Sequence, residues 1–482
     1  MNSHTSSLRN DLAKELHRFM SAGCVISDAE TQRPYESDGL AIYAAMPLMV
    51  VLPETVEQVQ NVMRLCHKRG VPVIARGAGT GLSAGAMPRE DAVVLSLAKF
   101  QNVLDIDPQS RTARLQPGVR NLAISEAAAE YGLYYAPDPS SQIACTIGGN
   151  VAENSGGVHC LKYGLTVHNV LSVELVTVEG DLLSLGTEGL DSAGIDLMAL
   201  ITGSEGLLGI VTEVTVRLLP IPSSARLVMA AFDNVQAAGD AVGAVISDGI
   251  IPAGLEMMDS HAIIAAESFA NAGYPTDADA LLLCEVDGDS DEVQDQSVRV
   301  EQLFYSLGAT VVRMSRNDEE RALLWKGRKS AFPAVGRLSP DYYCMDGTIP
   351  RGQLSYVLTE MQRLSEEYGL RVANVFHAGD GNLHPLILFD ASKPGETEKT
   401  EEFGGRILEL CVKVGGCITG EHGVGVEKLR QMSVQFSREE IEQFHRVKAA
   451  FDPEGTLNPG KGVPVLKNCQ EYRAIDAAAS TS

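Results

Sequence analysis

Two histidines flank an Asp-Gly pair in the stretch V-F-H-A-G-D-G-N-L-H-P, which covers residues 375–385. Asp380-Gly381 predicts a two-residue hairpin turn, because both central residues of the favoured turn need a positive φ, which Asp-Gly tolerates. Counting outward from this turn places His377 opposite His384. Opposed residues on one face of such a ribbon have Cβ atoms roughly 4.5–5.5 Å apart. The two imidazoles are therefore predicted to bind a single divalent cation.

A second motif, G-E-H-G-V-G at residues 420–425, offers a further ligand and a base. With Glu421 the set becomes two imidazoles and a carboxylate, which suits zinc, or alternatively manganese or iron, and leaves a coordination position open. Neighbouring side chains of an extended segment point to opposite sides, so we expect His422 to face the molecule at the open position as a general base. A lone histidine in a glycine-rich loop is usually a hydrogen-bonding residue, but the two motifs together favour a catalytic metal site.

Length and charge limit the class of protein that carries these motifs. A chain of 482 residues is too long for one ordinary core and predicts roughly two to four domains. The net charge of -24 repels phosphate backbones and argues against a nucleic-acid partner. Hydrophobic residues make up 45% of the chain, yet no stretch reaches the ~18 uninterrupted apolar residues of a membrane-spanning helix. We therefore expect a soluble globular protein.

The nine cysteines are scattered and include no C-x-x-C pair. This pattern predicts a reducing, cytoplasmic location without a disulfide framework. An iron–sulfur cluster normally needs grouped cysteine ligands, so this chain is not expected to carry one. The cysteines are Cys24, Cys66, Cys145, Cys160, Cys284, Cys344, Cys411, Cys417 and Cys469.

Three glycine-rich tracts interrupt the first half of the chain, at residues 76–85, 136–157 and 202–212. Before and between them, apolar spacing predicts helices at 55–69 and 121–131 and strands at 71–75, 93–97, 103–106, 113–115 and 170–178. Three glycine-rich loops in one α+β domain indicate backbone amides that approach a large anionic ligand, because a missing Cβ permits close contact. Ordinary turns are the alternative reading.

The stretch L-P-I-P at residues 219–222 marks a predicted domain boundary. Beyond it, helix-like and strand-like segments alternate as in a split β-α-β sandwich. Strands are predicted at 226–232, 281–285, 310–313 and 342–346, and helices at 235–247, 291–307, 319–331, 354–368, 400–414 and 438–450.

Taken together, these tracts, with P-D-P-S-S, T-G-S-E-G and the closing L-N-P-G-K, resemble the FAD-linked oxidases of the vanillyl-alcohol-oxidase type over roughly residues 35–465. Within that family the chain is most similar to the FAD-containing subunits of bacterial glycolate oxidases. The resemblance implies an α+β fold with four parts. These are an N-terminal helical segment (1–40), a two-subdomain FAD-binding domain of the PCMH type (41–221), a ferredoxin-like-repeat cap that binds substrate and metal (222–426), and a helical C-terminal segment (427–482) that returns to the FAD domain.

The resemblance also implies which residues contact FAD. The first loop would hold the pyrophosphate, the second the flavin and the third the adenine side. Thr80 stands where relatives with covalent flavin often carry a histidine, so FAD is expected to be non-covalent. The implied residues are Arg76, Gly77, Ala78, Gly79, Thr80, Gly81, Leu82, Pro137, Asp138, Ser140, Ser141, Thr146, Gly149, Asn150, Gly206, Gly209, Ile210 and Val211.

For catalysis, the resemblance implies that a small 2-hydroxy acid loses its hydroxyl proton to His422 and a hydride to the flavin. Arg328 is the preferred partner of the substrate carboxylate, since a guanidinium fork matches a carboxylate, and Asn382 adds a polar contact. Phe332 and Cys344 replace polar groups of relatives that act on 2-hydroxyglutarate, which favours glycolate or D-lactate. The residues that compete with Arg328 are Lys326, Lys329, Arg337 and Arg351.

Relatives of this type work with a second flavin-type subunit and an iron–sulfur subunit, which would bring a cytoplasmic chain to the inner face of the membrane. A stand-alone D-lactate or D-2-hydroxyglutarate dehydrogenase is the nearest alternative. A flavin-free metallohydrolase is a distant one, since three ligands and a base could also activate water. A non-catalytic partner that keeps the fold is disfavoured by the intact ligand set and base.

Overall fold

The computed structural model describes residues 3–189 and 193–465. They form two compact units. The first takes its described residues from Met1–Ser155, Leu165–Pro220 and Glu421–Ser482, and the second from Gly156–Gly164 and Ile221–Gly420.

These limits differ from the predicted ones at three places. The N-terminal segment belongs to the first unit, the return to that unit begins at Glu421 instead of residue 427, and residues 156–164 belong to the second unit. The last difference has a physical cause, because Lys162 Nζ donates to the main-chain oxygen of Asp287 over 2.7 Å and Tyr163 Oη donates to its carboxylate over 2.7 Å. Such contacts join distant parts of the chain and leave no local pattern in the sequence.

The helices of the described residues are α1 (Ser3–Leu16), α2 (Ala29–Gln32), α3 (Val56–Arg69), α4 (Asn121–Ala128), α5 (Ile147–Glu153), α6 (Cys160–Tyr163), α7 (Thr166–Asn169), α8 (Leu197–Ile201), α9 (Val235–Ser247), α10 (Ser260–Ala270), α11 (Ser290–Ser306), α12 (Asp318–Lys329), α13 (Ala331–Val335), α14 (Leu354–Tyr368), α15 (Glu396–Lys413), α16 (Leu429–Gln435) and α17 (Arg438–Phe451). Short 3-10 turns lie at Ala22–Cys24, Arg33–Tyr35, Ala129–Tyr131 and Arg351–Gln353.

The strands are β1 (Val25–Ile26), β2 (Met49–Val51), β3 (Val73–Arg76), β4 (Val93–Ser96), β5 (Val103–Asp107), β6 (Thr112–Leu115), β7 (Leu133–Tyr134), β8 (Val170–Val176), β9 (Leu182–Gly186), β10 (Ile210–Arg217), β11 (Leu219–Pro220), β12 (Ser224–Phe232), β13 (Gly254–Asp259), β14 (Ala280–Gly288), β15 (Ala309–Met314), β16 (Asp341–Cys344), β17 (Gly347–Thr348), β18 (Val372–Phe376), β19 (Asn382–Leu383) and β20 (Pro385–Phe389).

The first unit contains two main sheets, each with its own apolar core. The four-stranded sheet has the order β1-β2-β4-β3, in which β2, β4 and β3 run parallel. The five-stranded sheet, β5-β6-β10-β8-β9, is antiparallel. Local signals shape the first sheet's helix α3. Thr55 Oγ1 accepts from the Gln58 amide at its start, and Gly70 ends it with φ +61°.

The second unit is built on one seven-stranded sheet with the order β15-β12-β14-β13-β18-β20-β16. Strands β12 to β15 and helices α9 and α11 give the predicted split β-α-β arrangement, with α10 as an additional helix between β13 and β14. The second repeat contributes only β16, β18 and β20 to the sheet, while β17 and β19 pair separately. Strand β13 and the loops that follow β16 and β18 carry or contact the candidate site.

Of the helices in the described residues, none has both the length and the apolar content that a membrane crossing requires. The cysteines of the same residues are free thiols, and Cys469 lies outside them.

Candidate active site

The three glycine-rich loops come together in the first unit. A Cβ on Gly77 would lie 2.5 Å from Thr146 Oγ1, so the first loop touches the start of α5 at a position that only glycine allows. The third loop docks on α5 itself, since the Gly203 amide donates to Val151 O and the Glu205 amide donates to Ala152 O, both over 2.8 Å. The loops are far apart in the sequence, but their contact in the fold is the arrangement that one shared ligand requires.

Helix α5 carries buried polar side chains at its start. Thr146 caps it by accepting from the Gly149 amide over 3.4 Å. Asn150 is buried, and among the described residues its Nδ2 atom has no hydrogen-bond partner. A buried amide group normally finds a partner, so this atom fits contact with a bound polar ligand. Both residues belong to the predicted flavin-binding set.

Arg76, at the end of β3, makes several contacts within the first unit. Its guanidinium donates to Ser37 O over 2.8 Å and packs over the Tyr35 ring at 5.6 Å. Gly79, at φ +70°, leaves the space for this side chain, because a Cβ there would overlap the guanidinium. Arg76 therefore braces the first loop through its side chain. The loop presents Ala78 to solvent.

The second and third loops place the remaining predicted residues. Pro137 and Asp138 are buried, and Asn121 Nδ2 donates to Pro137 O over 3.0 Å, while Ser140 is exposed. The third loop turns at Gly206 with φ +70° and enters β10 at Ile210. Gly209 lies against the side chain of Leu175, which a Cβ would approach to 2.7 Å. Gly209 and the β10 residues thus hold the loop in place by packing.

A group of buried charges stands beside these loops, and the sequence pattern did not reveal it. The Glu205 carboxylate accepts from the amides of Val424 and Gly425, each over 2.7 Å. Burial raises the pKa of Glu205, and it raises that of Glu153 well above the ordinary carboxyl value, an effect to which the Glu205 charge adds. Burial also lowers the pKa of Lys461 to about 7. Glu205 thereby fixes the backbone that follows the predicted base.

In the second unit, the two histidines of the first motif meet as predicted. Their ring centroids are 5.0 Å apart with an interplanar angle of 86°, and both rings are buried. Ligand atoms of His384 lie within 4.8 Å of those of His377 and of Asp346. Buried imidazole nitrogens at this separation can share one divalent cation.

The predicted register of this hairpin is wrong. His377 pairs with Asn382 instead of His384, which leaves a four-residue loop, and within that loop the Gly381 amide donates to His377 O over 3.1 Å. Gly381 has φ +85°, but Asp380 is not among the residues with positive φ, so the expected two-residue turn does not form. The cause lies outside the hairpin, because the carbonyl oxygen of Ile349 occupies the space over Gly381, where a Cβ would lie 2.2 Å from it.

Asp346, in the loop after β16, was missed by sequence reasoning. Its Oδ1 lies 3.4 Å from His384 Nε2, and its Oδ2 accepts from Thr419 Oγ1 over 2.6 Å and from the Gly420 amide over 2.9 Å. It therefore contacts one predicted ligand and holds the residue that precedes another. Glu421 and His422 follow in the chain and begin its return to the first unit.

Glu256, in the middle of β13, was missed as well. Its Oε1 lies 2.8 Å from His377 Nδ1 and its Oε2 lies 2.5 Å from Arg328 Nη2. The side chains of Glu256 and Arg328 are each 1% exposed. Among the described residues Arg328 Nε has no hydrogen-bond partner. An acidic residue between the apolar Leu255 and Met257 of the strand G-L-E-M-M-D was the available signal.

Burial separates Arg328 from the four basic residues that compete with it. Lys326, Lys329, Arg337 and Arg351 are exposed, whereas Arg328 faces the interior from the last turn of α12.

Asn382 is also buried, and a Cβ on Gly420 would lie 2.3 Å from its Oδ1. The ring of Phe332 meets that of His384 edge-on with centroids 6.1 Å apart. The second unit thus contains the histidine pair, Arg328, Asn382 and the aromatic ring of Phe332.

Comparison with known proteins covers both units. The family of FAD linked oxidases, C-terminal domain, matches residues 221–462. The family named FAD binding domain matches residues 47–186, which include the first two glycine-rich loops up to Gly157.

Full-length relatives show the same relationship. The chain is 62% identical over 442 residues to glycolate oxidase subunit GlcD of Escherichia coli (strain K12), covering 92% of this chain and 89% of that protein. It is 38% identical over 428 residues to glycolate oxidase subunit GlcD of Bacillus subtilis (strain 168), covering 89% and 91%. It is 32% identical over 428 residues to a D-lactate dehydrogenase of Archaeoglobus fulgidus, covering 88% and 93%.

Solved structures share the fold. A 4-ethylphenol oxidase from Gulosibacter chungangensis superposes with a TM-score of 0.80 at 17% identity, covering 98% of this chain and 99% of that chain. A p-cresol methylhydroxylase gives a TM-score of 0.80 at 18% identity, covering 96% and 98%. Together with the two family matches, these likenesses confirm the predicted fold class.

Proposed function

Because the chain belongs to the family of FAD-linked oxidases, we propose that it oxidises a small 2-hydroxy acid, glycolate first and D-lactate second, as the flavin-containing subunit of a glycolate oxidase. One observation carries the substrate class. His377 of the buried histidine pair and the buried Arg328 guanidinium both contact the carboxylate of Glu256, which supports a cation site and a carboxylate-binding group within one unit. A 2-hydroxy acid presents the matching hydroxyl and carboxylate on neighbouring carbons.

The FAD-binding domain supports FAD as the cofactor, and the residues present fit it. The first loop meets the start of α5 at Gly77, whose Cβ would clash with Thr146 Oγ1, and the third loop binds α5 through its backbone amides. Asn150 Nδ2 is a buried donor without a hydrogen-bond partner among the described residues. Bound FAD would accept a hydride from the substrate α-carbon. Since Thr80 occupies the place of the covalent histidine in some relatives, we propose that FAD is held without a covalent bond.

The second unit fits a divalent cation, for which we propose zinc. Imidazole nitrogens and a carboxylate are the donors that zinc prefers, and His377 and His384 are buried with ligand atoms within 4.8 Å. We propose Glu421 as the third ligand. A bound cation would make the substrate hydroxyl more acidic. His422 would take the hydroxyl proton as general base.

Arg328 would bind the substrate carboxylate. Its Nη2 pairs with Glu256, and its buried Nε lacks a partner among the described residues, which leaves a donor for an incoming carboxylate. Asn382 would add a polar contact from its buried amide. The Phe332 ring offers no partner for a second carboxylate, which disfavours a dicarboxylate substrate.

Reduced flavin must pass its electrons to another carrier. The relatives named as glycolate oxidase subunits indicate a complex of several subunits. We propose a second flavin-type subunit and an iron–sulfur subunit as partners, which would bring this chain to the inner face of the cytoplasmic membrane. Rapid turnover of the isolated chain with a quinone would contradict that part of the proposal.

A stand-alone D-lactate dehydrogenase is the second candidate, supported by the Archaeoglobus relative. Substrate preference and the need for partner subunits separate it from a glycolate oxidase. The metallohydrolase alternative is disfavoured, because a hydrolase has no use for the FAD-binding domain.

The visible spectrum of the purified protein tests the function. Anaerobic addition of glycolate, and then of D-lactate to a fresh sample, should bleach the flavin band, and the extent with each acid ranks the substrates. His422→Asn should keep the flavin and lose the bleaching. Acid precipitation should release the flavin into the supernatant. A flavin band that neither acid bleaches would refute the proposal, and flavin that stays with the pellet would refute the non-covalent part alone.

A further inference from the structure

The Glu256 carboxylate contacts both a proposed metal ligand and the proposed substrate-binding arginine. It lies in β13, with Oε1 2.8 Å from His377 Nδ1 and Oε2 2.5 Å from Arg328 Nη2. All three side chains are at most 4% exposed. Neither contact belongs to the ligand set or to the substrate contacts derived from the sequence.

The contact with Glu256 decides which nitrogen of His377 is free for a metal. A guanidinium has only donors to offer, so the Glu256 carboxylate is the acceptor in its contact with Arg328. An anionic carboxylate accepts hydrogen bonds and cannot donate them, and therefore the Nδ1 atom of His377 must carry the proton. The neutral ring then keeps its lone pair on Nε2, the nitrogen available to a cation.

We propose that Glu256 is the positioning residue of the metal site, which holds His377 as the Nδ1–H tautomer and links the orientation of that ring to the position of Arg328. The proposal rests on the proposed function, since it concerns the same cation and the same substrate carboxylate. A carboxylate that orients a ligating histidine typically changes metal affinity by about 10- to 100-fold when it is replaced. The effect of Glu256 is expected in that range.

A purely structural ion pair would make the same contacts for a different reason, and the chain contains a matched example. Glu285 lies in the adjacent strand β14 and is also buried. It too has a histidine partner, His159 Nε2 at 3.3 Å, and an arginine partner, Arg321 Nη1 at 3.2 Å, together with Trp325 Nε1 at 2.5 Å. Because His159 is not a proposed ligand, Glu285→Gln removes an equivalent buried charge without touching the metal site.

The test measures zinc affinity of the FAD-loaded protein after its metal has been removed by a chelator. Zinc is titrated in competition with a chromophoric chelator for the wild type, Glu256→Gln and Glu285→Gln, and thermal unfolding is recorded for each. We expect Glu256→Gln to bind zinc about 10- to 100-fold more weakly, and Glu285→Gln to bind it as the wild type does. Cobalt(II) in place of zinc should give an altered visible spectrum only in Glu256→Gln. Equal zinc affinity of Glu256→Gln and the wild type would overturn this inference alone.

A second measurement keeps the proposal testable if Glu256→Gln does not fold. Nitrogen NMR of the wild type labelled in its histidines, with His377→Gln to assign the signal, should show His377 protonated at Nδ1 before zinc is added and zinc-shifted at Nε2 afterwards. A proton on Nε2 would refute the proposal. If the wild type bound no zinc, the metal part of the proposed function would fall and this inference with it, an outcome that differs from loss of the Glu256 effect alone.

Discussion

Replacement of Arg328 by methionine and by lysine separates its observed pairing with Glu256 from its proposed binding of the substrate carboxylate. Arg328→Met removes both the charge next to Glu256 and the donor offered to substrate. Arg328→Lys keeps a positive charge but lacks the planar fork that matches a carboxylate. The two variants should therefore differ in stability while sharing a defect in substrate binding.

The magnitudes follow from burial. Glu256 and Arg328 are each 1% exposed and 2.5 Å apart, so Arg328→Met leaves a buried carboxylate without its charge partner. Breaking one side of a buried pair costs about 3–5 kcal/mol of unfolding free energy. Loss of a buried charged contact to the substrate costs about 2–5 kcal/mol. At about 1.36 kcal/mol per factor of ten, kcat/KM should fall roughly 30- to 5,000-fold.

Urea unfolding and steady-state oxidation of glycolate measure both effects. Arg328→Met should lose stability and activity, and Arg328→Lys should retain most of the stability while KM rises strongly. Lys326→Met, at an exposed position of the same helix, is the control and should behave as the wild type. Wild-type KM in Arg328→Lys would refute the carboxylate-binding role, and wild-type stability in Arg328→Met would refute the importance of the pair with Glu256.

Two further predictions concern stability. Gly381→Ala should lower the unfolding free energy by more than about 2 kcal/mol, since its Cβ would meet Ile349 O at 2.2 Å. Gly395→Ala is the control, because Gly395 has φ +80° but open space around it, and it should cost only about 1–2 kcal/mol in urea unfolding. Equal losses in the two variants would contradict the clash. Burial, followed by the Glu205 charge, raises the pKa of Glu153 in the folded protein. The contribution of Glu153 to the unfolding free energy is therefore present below the ordinary carboxyl pKa and is lost as pH rises through the folded pKa. Melting temperatures should therefore fall more between about pH 5 and about pH 8 in the wild type than in Glu153→Gln, and parallel falls would contradict this assignment.

Helices and strands with strong local signals could be predicted from the sequence. The predicted helices at 235–247 and 354–368 have these bounds in the structure. The first begins where Asn234 Oδ1 accepts from the Ala237 amide, and the second ends at Gly369, which has φ +60°. Capping and apolar periodicity are properties of neighbouring residues, so they are readable without knowledge of the rest of the chain.

The hairpin shows where local rules end. Its two histidines were predicted to meet, and their ring centroids are 5.0 Å apart. The predicted turn was nevertheless wrong, because residues 382–383 pair with Gly347–Thr348 and the Ile349 carbonyl packs over Gly381. A segment from another part of the chain selected the register. The prediction that the two histidines meet did not depend on the turn, because both registers leave His377 and His384 near the same end of the ribbon.

The residues that the sequence did not reveal have one property in common, namely that each is a buried carboxylate whose partner is remote. Glu256 and His377 are 121 positions apart, and Glu205 and Val424 are 219 positions apart. Burial of a carboxylate is costly unless donors surround it, and those donors exist only after the chain has folded. A sequence pattern therefore predicts such a residue as a surface charge. Asp346, which accepts from the backbone amide just before the Glu-His pair, follows the same logic. Side chains proposed to do the chemistry lie in recognisable motifs, whereas the groups that hold them in position become visible only through tertiary contacts.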